Sequence, residues 1–370
     1  MIEYVSNENV SYRIIFTKST YISCMENNVY SFAIDIDWKL INVISQIDRF
    51  DGSWATIERK EGQSLKQLKS IATVRSVGAS TRIEGSAMND EEVDQLLNAI
   101  DVSKLTDRDA QEVVGYFDTM DTISESYAEI EITENDIRNL HNILMKHSKK
   151  DQWHKGNYKQ HNNAVEANFL DGIKQIIFQT TAAGFPTETA MSNLVDWYET
   201  DKITHPLVKC ALFTYEFLSI HPFQDGNGRL SRLLSSLLLL KRGYKWIQYV
   251  SFEHEIENRK SEYYRVLRSC QAQRPNENVS EWVSFFFDAL KNIQEQLMQK
   301  LRMNGIETQL SPREKAIVAF IGNRPGCKSG DIAARLGIPS PTVKRILTEL
   351  LEKKLIQKHG AGPGTNYAVN

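Results

Sequence analysis

The sequence predicts a mainly α-helical body followed by a small C-terminal domain of the winged-helix type. Three observations carry this prediction. Apolar residues recur at helical spacing between Trp38 and Leu240, with one interruption from Trp153 to Phe185. The last sixty residues read as three short helices followed by a glycine-punctuated β-hairpin. Their charge also departs from the rest: Ser311 to Asn370 hold ten Lys/Arg and four Asp/Glu, a net of +6, which leaves −9 of the chain's −3 for residues 1–310.

The 370 residues leave room for two or three domains. With 41% apolar residues, 25% charged residues and a mean hydropathy of −0.40, the composition excludes disordered, collagen-like and membrane-embedded chains. The most apolar stretch, Leu233 to Leu240, is far short of the roughly 20 residues that cross a bilayer. The start, MIEYVSNENV, has no basic segment leading into an apolar one, so no signal peptide and a cytoplasmic location are expected. Cys24, Cys210, Cys270 and Cys327 lie far apart without a CxxC pair and read as isolated reduced thiols.

Taken in order, residues 1–63 read as an N-terminal region packed on the core. It has strands over Tyr12–Thr17 and Tyr30–Ile34 and a helix over Trp38–Arg49. The core, residues 64–300, opens with helices over Ser64–Glu84, Asp90–Ile100, Asp107–Tyr127 and Glu134–His147. Asn89, Thr106 and Thr133 are the expected N-caps, each followed by acidic residues in the first turn. Where the period breaks, Val165–Phe169 and Ile173–Phe178 flank Leu170-Asp171-Gly172 and read as a hairpin with an Asp-Gly turn. Helices over Thr187–Thr200, Pro206–Ser219 and Arg229–Leu240 follow.

In the C-terminal domain, 311–370, Ser311-Pro312-Arg313-Glu314 is a capping box with proline at the first helical position. A second helix fits Ser329–Leu336, Gly337-Ile338-Pro339 breaks it, and Ser340-Pro341 starts a third through Lys353. Leu355–Lys358 and Thr365–Val369 make the wing. The reading helix would present Ser340, Thr342, Lys344 and Arg345 to DNA, although such modules also contact proteins.

Chemistry concentrates in His221-Pro222-Phe223-Gln224-Asp225-Gly226-Asn227-Gly228-Arg229-Leu230-Ser231-Arg232, between two strongly apolar helices. A glycine-rich loop at a helix start offers unpaired N–H groups and positive potential to an anion. Arg229 and Arg232, three apart, suit two neighbouring phosphates. Asp225 is placed to hold a Mg²⁺ that neutralises those phosphates. His221 titrates near neutrality and suits a general base.

This segment, HPFQDGNGRLSR, resembles the Fic family signature HxFx(D/E)GNGRxxR at every defining position, and the likeness extends from about Ser64 to Leu290. The resemblance implies a helical Fic core with a β-hairpin flap at 164–178. It also implies an adenylyltransferase that moves AMP from ATP to a Ser, Thr or Tyr hydroxyl of a protein target. By that resemblance His221 deprotonates the hydroxyl and Asp225 binds Mg²⁺. Gly226, Asn227 and Gly228 form the anion hole, while Arg229 and Arg232 bind the β- and γ-phosphates. Tyr263 and Tyr264 fall where relatives place aromatics beside the adenine, a position where ordinary packing is an equal alternative.

Ser80-Thr81-Arg82-Ile83-Glu84-Gly85 is similar to the family's inhibitory motif, (S/T)xxxE(G/N). Ser80 and Glu84 share a helix face, Gly85 can end the helix, and the carboxylate could reach Arg232 and take the fork meant for the γ-phosphate. The expectation is therefore a self-inhibited protein adenylyltransferase using ATP and Mg²⁺, with self-modification as the first product. The reading leaves room for a homodimer and for transfer of UMP, phosphocholine or phosphate. Two alternatives stand beside it. The same site could remove AMP with Glu84 positioning water, or the chain could be a nucleotide-sensing regulator that binds DNA through residues 311–370.

Overall fold

Strand β1 (Tyr12–Ile15) pairs antiparallel with β2 (Ala33–Ile36), Tyr12 opposite Ile36, in the computed structural model, which describes residues 12–15, 32–100, 105–168, 174–360 and 362–369. Helix α1 (Trp38–Lys60) is capped by Asp37, whose carboxylate accepts from the Leu40 amide at 2.7 Å. It runs beyond Arg49, where the Asp51-Gly52 pair suggests a stop. The buried stripe Leu40, Val43, Ile47 and Trp54 keeps its helical spacing across that pair, and packing overrides the local turn signal.

Next come α2 (Gly62–Ile83), α3 (Asp90–Asn98), α4 (Arg108–Ser126) and α5 (Glu134–Leu144). Asn89 and Thr133 cap α3 and α5 as expected, Asn89 in a reciprocal box with Glu92. The cap of α4 is Asp107 rather than Thr106, its carboxylate accepting from the Ala110 amide. Strands β3 (Ala164–Asn168) and β4 (Lys174–Gln179) form the expected antiparallel hairpin, with a bulge between Val165 and Glu166. The Leu170–Gly172 turn lies outside the described residues.

Beyond the hairpin lie α6 (Phe185–Thr200), α7 (Pro206–Ile220), α8 (Asn227–Lys241) and a 3-10 turn, Lys245–Tyr249. They are followed by α9 (Phe252–Asn258), α10 (Lys260–Gln271) and α11 (Ser280–Gln309). Helices α7 and α8 are almost wholly buried, so they form the centre about which the other helices pack. A short connection, 221–226, joins them.

The chain divides into two compact units, 1–297 and 298–370. The second contains α12 (Pro312–Asn323), α13 (Ser329–Leu336), α14 (Ser340–Glu352) and a hairpin of β5 (Ile356–His359) with β6 (Asn366–Val369). Ser311 and Glu314 make the reciprocal cap that the sequence predicts. Gly337 turns the chain at φ +64°, a left-handed conformation that suits glycine, and separates α13 from α14. Ile317, Ile332, Val343, Leu350 and Tyr367 close a core of this unit's own. On α14, Ser340, Lys344 and Arg345 are exposed and Thr342 is half-buried.

Among the described residues Cys210, Cys270 and Cys327 are buried free thiols, and Cys24 lies outside them. No described helix is long and apolar enough to cross a membrane.

Candidate active site

The loop between α7 and α8 is closed by its own side chain. Asn227, buried at the start of α8, accepts from the Phe223 amide through Oδ1 at 2.9 Å and donates to the Phe223 carbonyl through Nδ2 at 2.7 Å. Gly226 ahead of it takes φ +79°, and a side chain there would stand 3.2 Å from Met145 Sδ. The first intrahelical bond runs from the Leu230 amide to the Gly226 carbonyl, which leaves the amides of 227–229 without helical partners. In Asn227→Ala the Phe223 carbonyl keeps Asn163 Nδ2 at 2.9 Å, but the Phe223 amide is orphaned. The expected loss is about 1–3 kcal/mol in urea unfolding followed by tryptophan fluorescence.

Two residues without a motif signature hold the loop from outside. His141 on α5 is fully buried and stacks on Phe223 at 3.8 Å. Its Nδ1 accepts from the Gly156 amide, so Nε2 carries the proton toward the Asp225 carbonyl at 3.0 Å. Burial drives its pKa down to about 3, which keeps the ring neutral. The second is Lys159, whose Nζ donates to the Ile220 carbonyl, Asn163 Oδ1 and Thr180 Oγ1, tying the base of the β3–β4 hairpin to the end of α7. A signal for His141 was present. It shares the apolar stripe of α5 with Ile137, Leu140 and Leu144, where a histidine faces the core. Lys159 has no such signal, because its partners come from three separate segments.

His221 follows the last turn of α7 in a left-handed conformation, φ +55°. Its Nδ1 lies 3.4 Å from the Leu218 carbonyl, which can only accept, so Nδ1 carries the proton and Nε2 the lone pair. Burial, aided by the Lys159 ammonium, lowers its pKa to about 4, against the raising effects of the Leu218 carbonyl, Glu84 and Asp225. The ring is therefore an unprotonated base at neutral pH.

Arg229 and Arg232, about 60° apart around the α8 axis, form ion pairs with different carboxylates. Arg229, buried, lies 3.3 Å from Glu112 Oε2 on α4 and 3.5 Å from Asp225 Oδ1. Arg232, 2% exposed, meets the end of α2. Its Nε donates to Ser80 Oγ at 2.8 Å, and Nη2 donates to the Ser80 carbonyl at 3.0 Å and to Glu84 Oε1 at 2.8 Å. The Glu84 carboxylate also crowds the start of α8: a methyl group at Gly228 would lie 2.3 Å from Oε1. Burial opposes the charge of Glu84, yet Arg232, then Arg229 and His221, hold its pKa below the ordinary carboxylate value. Gly85, at φ +107°, ends the segment.

Asp225 keeps 38% of its side chain exposed and accepts from the Gly226 amide at 2.5 Å. Among the described residues no group of three or more His, Cys, Asp or Glu could hold a metal by itself. One half-exposed carboxylate beside an anion nest does fit Mg²⁺, which prefers a single carboxylate plus phosphate oxygens. Tyr263 packs among Trp282 and Phe285, ring centroids 5.5 and 5.8 Å away, and is buried next to Arg232. Tyr264 is half-buried, edge-on to Tyr263 at 5.1 Å, and keeps some accessible surface.

Residues 131–239 match the model of the Fic/DOC family. This segment is a Fic domain. It contains α5, the β3–β4 hairpin, α6, α7, the loop and nearly all of α8, whereas Ser80, Glu84 and Tyr263 lie outside it. Residues 308–364 match the model of the MarR family, in agreement with the winged-helix architecture of the second unit.

The chain is 29% identical over 187 residues to the protein adenylyltransferase Fic of Drosophila erecta, covering 49% of this chain and 35% of that protein. To the protein of the same name from Drosophila melanogaster it is 27% identical over 207 residues, covering 54% and 39%. The chain thus spans little more than a third of the length of these curated relatives. Among solved structures, a Fic family protein from Desulfovibrio desulfuricans superposes with a TM-score of 0.60 at 24% identity, covering 92% of this chain and 98% of that one. A Fic domain containing signaling protein from Bacteroides thetaiotaomicron gives 0.57 at 23%, covering 69% and 96%. Both likenesses concern the Fic fold.

Proposed function

We propose that the Fic domain transfers AMP from ATP to a hydroxyl side chain of a protein, itself included, and that Glu84 holds this activity down. One observation carries the reading: a neutral imidazole with Nε2 free stands at the end of α7, next to a helix start that already accommodates a carboxylate. His221 Nε2 takes the proton of the target hydroxyl. The oxygen then forms a bond to the α-phosphorus while the bond to pyrophosphate breaks. The amides at the start of α8 receive charge on the phosphate, Arg232 serves its distal end, and Arg229 holds Asp225 from behind. Mg²⁺ at Asp225 would neutralise phosphate charge. The β3–β4 edge offers a backbone on which an extended target segment can add as a strand. The test is intact mass measurement of the full chain and its Glu84→Gly variant after incubation with Mg²⁺ and each nucleoside triphosphate. A gain matching AMP, from ATP alone, supports the reading; ATP binding without any covalent gain on the chain or on lysate proteins removes it.

For the second unit we infer contact with duplex DNA through α14. The MarR family match and the exposed Ser340, Lys344 and Arg345 favour it over the reading as a protein-contact module. Arg345 is partly engaged, its Nη1 lying 2.5 Å from Glu349, while Lys344 is exposed. Lys344→Ala in the full chain is expected to weaken binding and to reduce the slope of log K against log salt by about 1. Fluorescence anisotropy over a salt series measures this, and an unchanged slope removes Lys344 from the interface.

A further inference from the structure

We propose that Arg82 is the positioning residue for Glu84: it anchors the last turn of α2 so that the carboxylate stays over Arg232 and the start of α8. The inference rests on the reading of Glu84 as an inhibitor, and it adds the group that sets how firmly the inhibitor is seated.

Glu84 is not held tightly by its own contacts. About a third of its side chain is exposed, 32%, and a single ion pair at 2.8 Å joins it to Arg232. Its location therefore depends on the turn that carries it. That turn is tied down by Arg82, which leaves the helix toward other elements. Arg82 Nε and Nη2 donate to the two oxygens of Glu257 on α9, at 2.6 and 3.0 Å, in the parallel two-point geometry that fixes direction as well as distance. Nη1 donates to the Met88 carbonyl at 3.1 Å and lies 2.9 Å from Asp90 Oδ1 at the start of α3. One residue before Glu84, the Ile83 carbonyl accepts from Lys260 Nζ of α10 at 2.7 Å, satisfying a carbonyl that the helix end leaves free.

A second observation points to the same arrangement. Gly78 lies one turn earlier on α2, in helical conformation, where alanine would favour the helix. A methyl group there would come within 2.6 Å of Arg82 Nη1 and 2.8 Å of Asp90 Oδ1. The Arg82–Asp90 pair thus lies against the bare backbone of α2, in space that only glycine leaves open. Arg82 bonds to Glu257, Met88 and Asp90 rather than to Arg232, Asp225 or His221, so it acts on the site through the end of α2 that carries Glu84.

The experiment measures Mg²⁺–ATP affinity by calorimetry, and AMP transfer, for the full chain carrying Arg82→Ala, Glu84→Gly or both. Arg82→Ala is expected to tighten ATP binding and to raise transfer by roughly 3- to 10-fold, since a partly exposed anchor is being removed. Arg82→Lys, which keeps the charge without the fork, is expected to fall between. The double variant should match Glu84→Gly alone, because an anchor has nothing to hold once the carboxylate is gone. Gly78→Ala, which favours helix formation, should reproduce the gain by displacing the Arg82–Asp90 pair, and it covers the case in which Arg82→Ala folds poorly. Unchanged ATP affinity in both folded variants overturns the proposal, as does a gain that persists on the Glu84→Gly background. If Glu84→Gly leaves ATP affinity unchanged, the inhibitor reading and this inference fall together. If it tightens ATP binding but nothing is transferred, the adenylylation reading fails and the anchoring of Glu84 stands.

Discussion

Glu84→Gly is expected to raise AMP transfer by roughly 10- to 100-fold, the range of a strong coupling between two sites. Two effects of the carboxylate disappear together. It no longer occupies the Nη2 donor of Arg232, and it no longer crowds the helix start at Gly228. Arg232 loses the carboxylate that pairs its buried charge, while Ser80 continues to accept from Nε and Nη2. A loss of stability is therefore expected beside the gain in transfer. A control separates charge from backbone freedom: Glu84→Gln keeps the shape of the helix end while removing the anion, and it should recover much of the gain. Transfer from α-labelled ATP to the chain and to lysate proteins gives the measurement. A folded Glu84→Gly variant no more active than the wild type would sink the inhibitory role.

His221→Ala, made in the Glu84→Gly background, is expected to lose about 10²- to 10⁴-fold in transfer, the span of a positioned general base. Nucleotide affinity should survive, since the helix start and Arg232 are untouched. The pH dependence gives an independent check. A histidine whose pKa is lowered to about 4 stays in its base form as pH falls through 6.5, the value at which an ordinary imidazole protonates. The acid limb of kcat/KM, which reports the free enzyme, should thus lie below pH 5. Glu84 raises the His221 pKa, so removing it moves the limb further down. A break near 6.5 would contradict the environment described for the ring.

What could be read from the sequence was what is encoded over short distances. Ser311 with Glu314, Asn89 with Glu92, the helix–glycine–helix of 329–352 and the twelve residues from His221 are all local patterns, and the fold places them accordingly. The hairpin strands were legible because the helical period breaks there around an Asp-Gly turn. Two failures have physical causes. Helix α1 passes through Asp51-Gly52 because Trp54 must reach the core. Helices α9, α10 and α11 went unassigned, although Trp282, Phe286 and Leu290 on α11 are buried. Glu112 as the partner of Arg229 carries no local signal, since it lies far away in the sequence and close only in the fold, whereas the motif containing Glu84 already pointed to Arg232. His141 and Lys159 belong to the same class, since what makes them matter is who stands beside them.

The contact between Glu84 and Arg232 spans 148 residues, and its acidic member comes first. Chains are made from the N-terminus, and early segments fold or collapse before later ones emerge. Under the proposed role of Glu84, the residue that closes the site is therefore synthesised before the residues it closes.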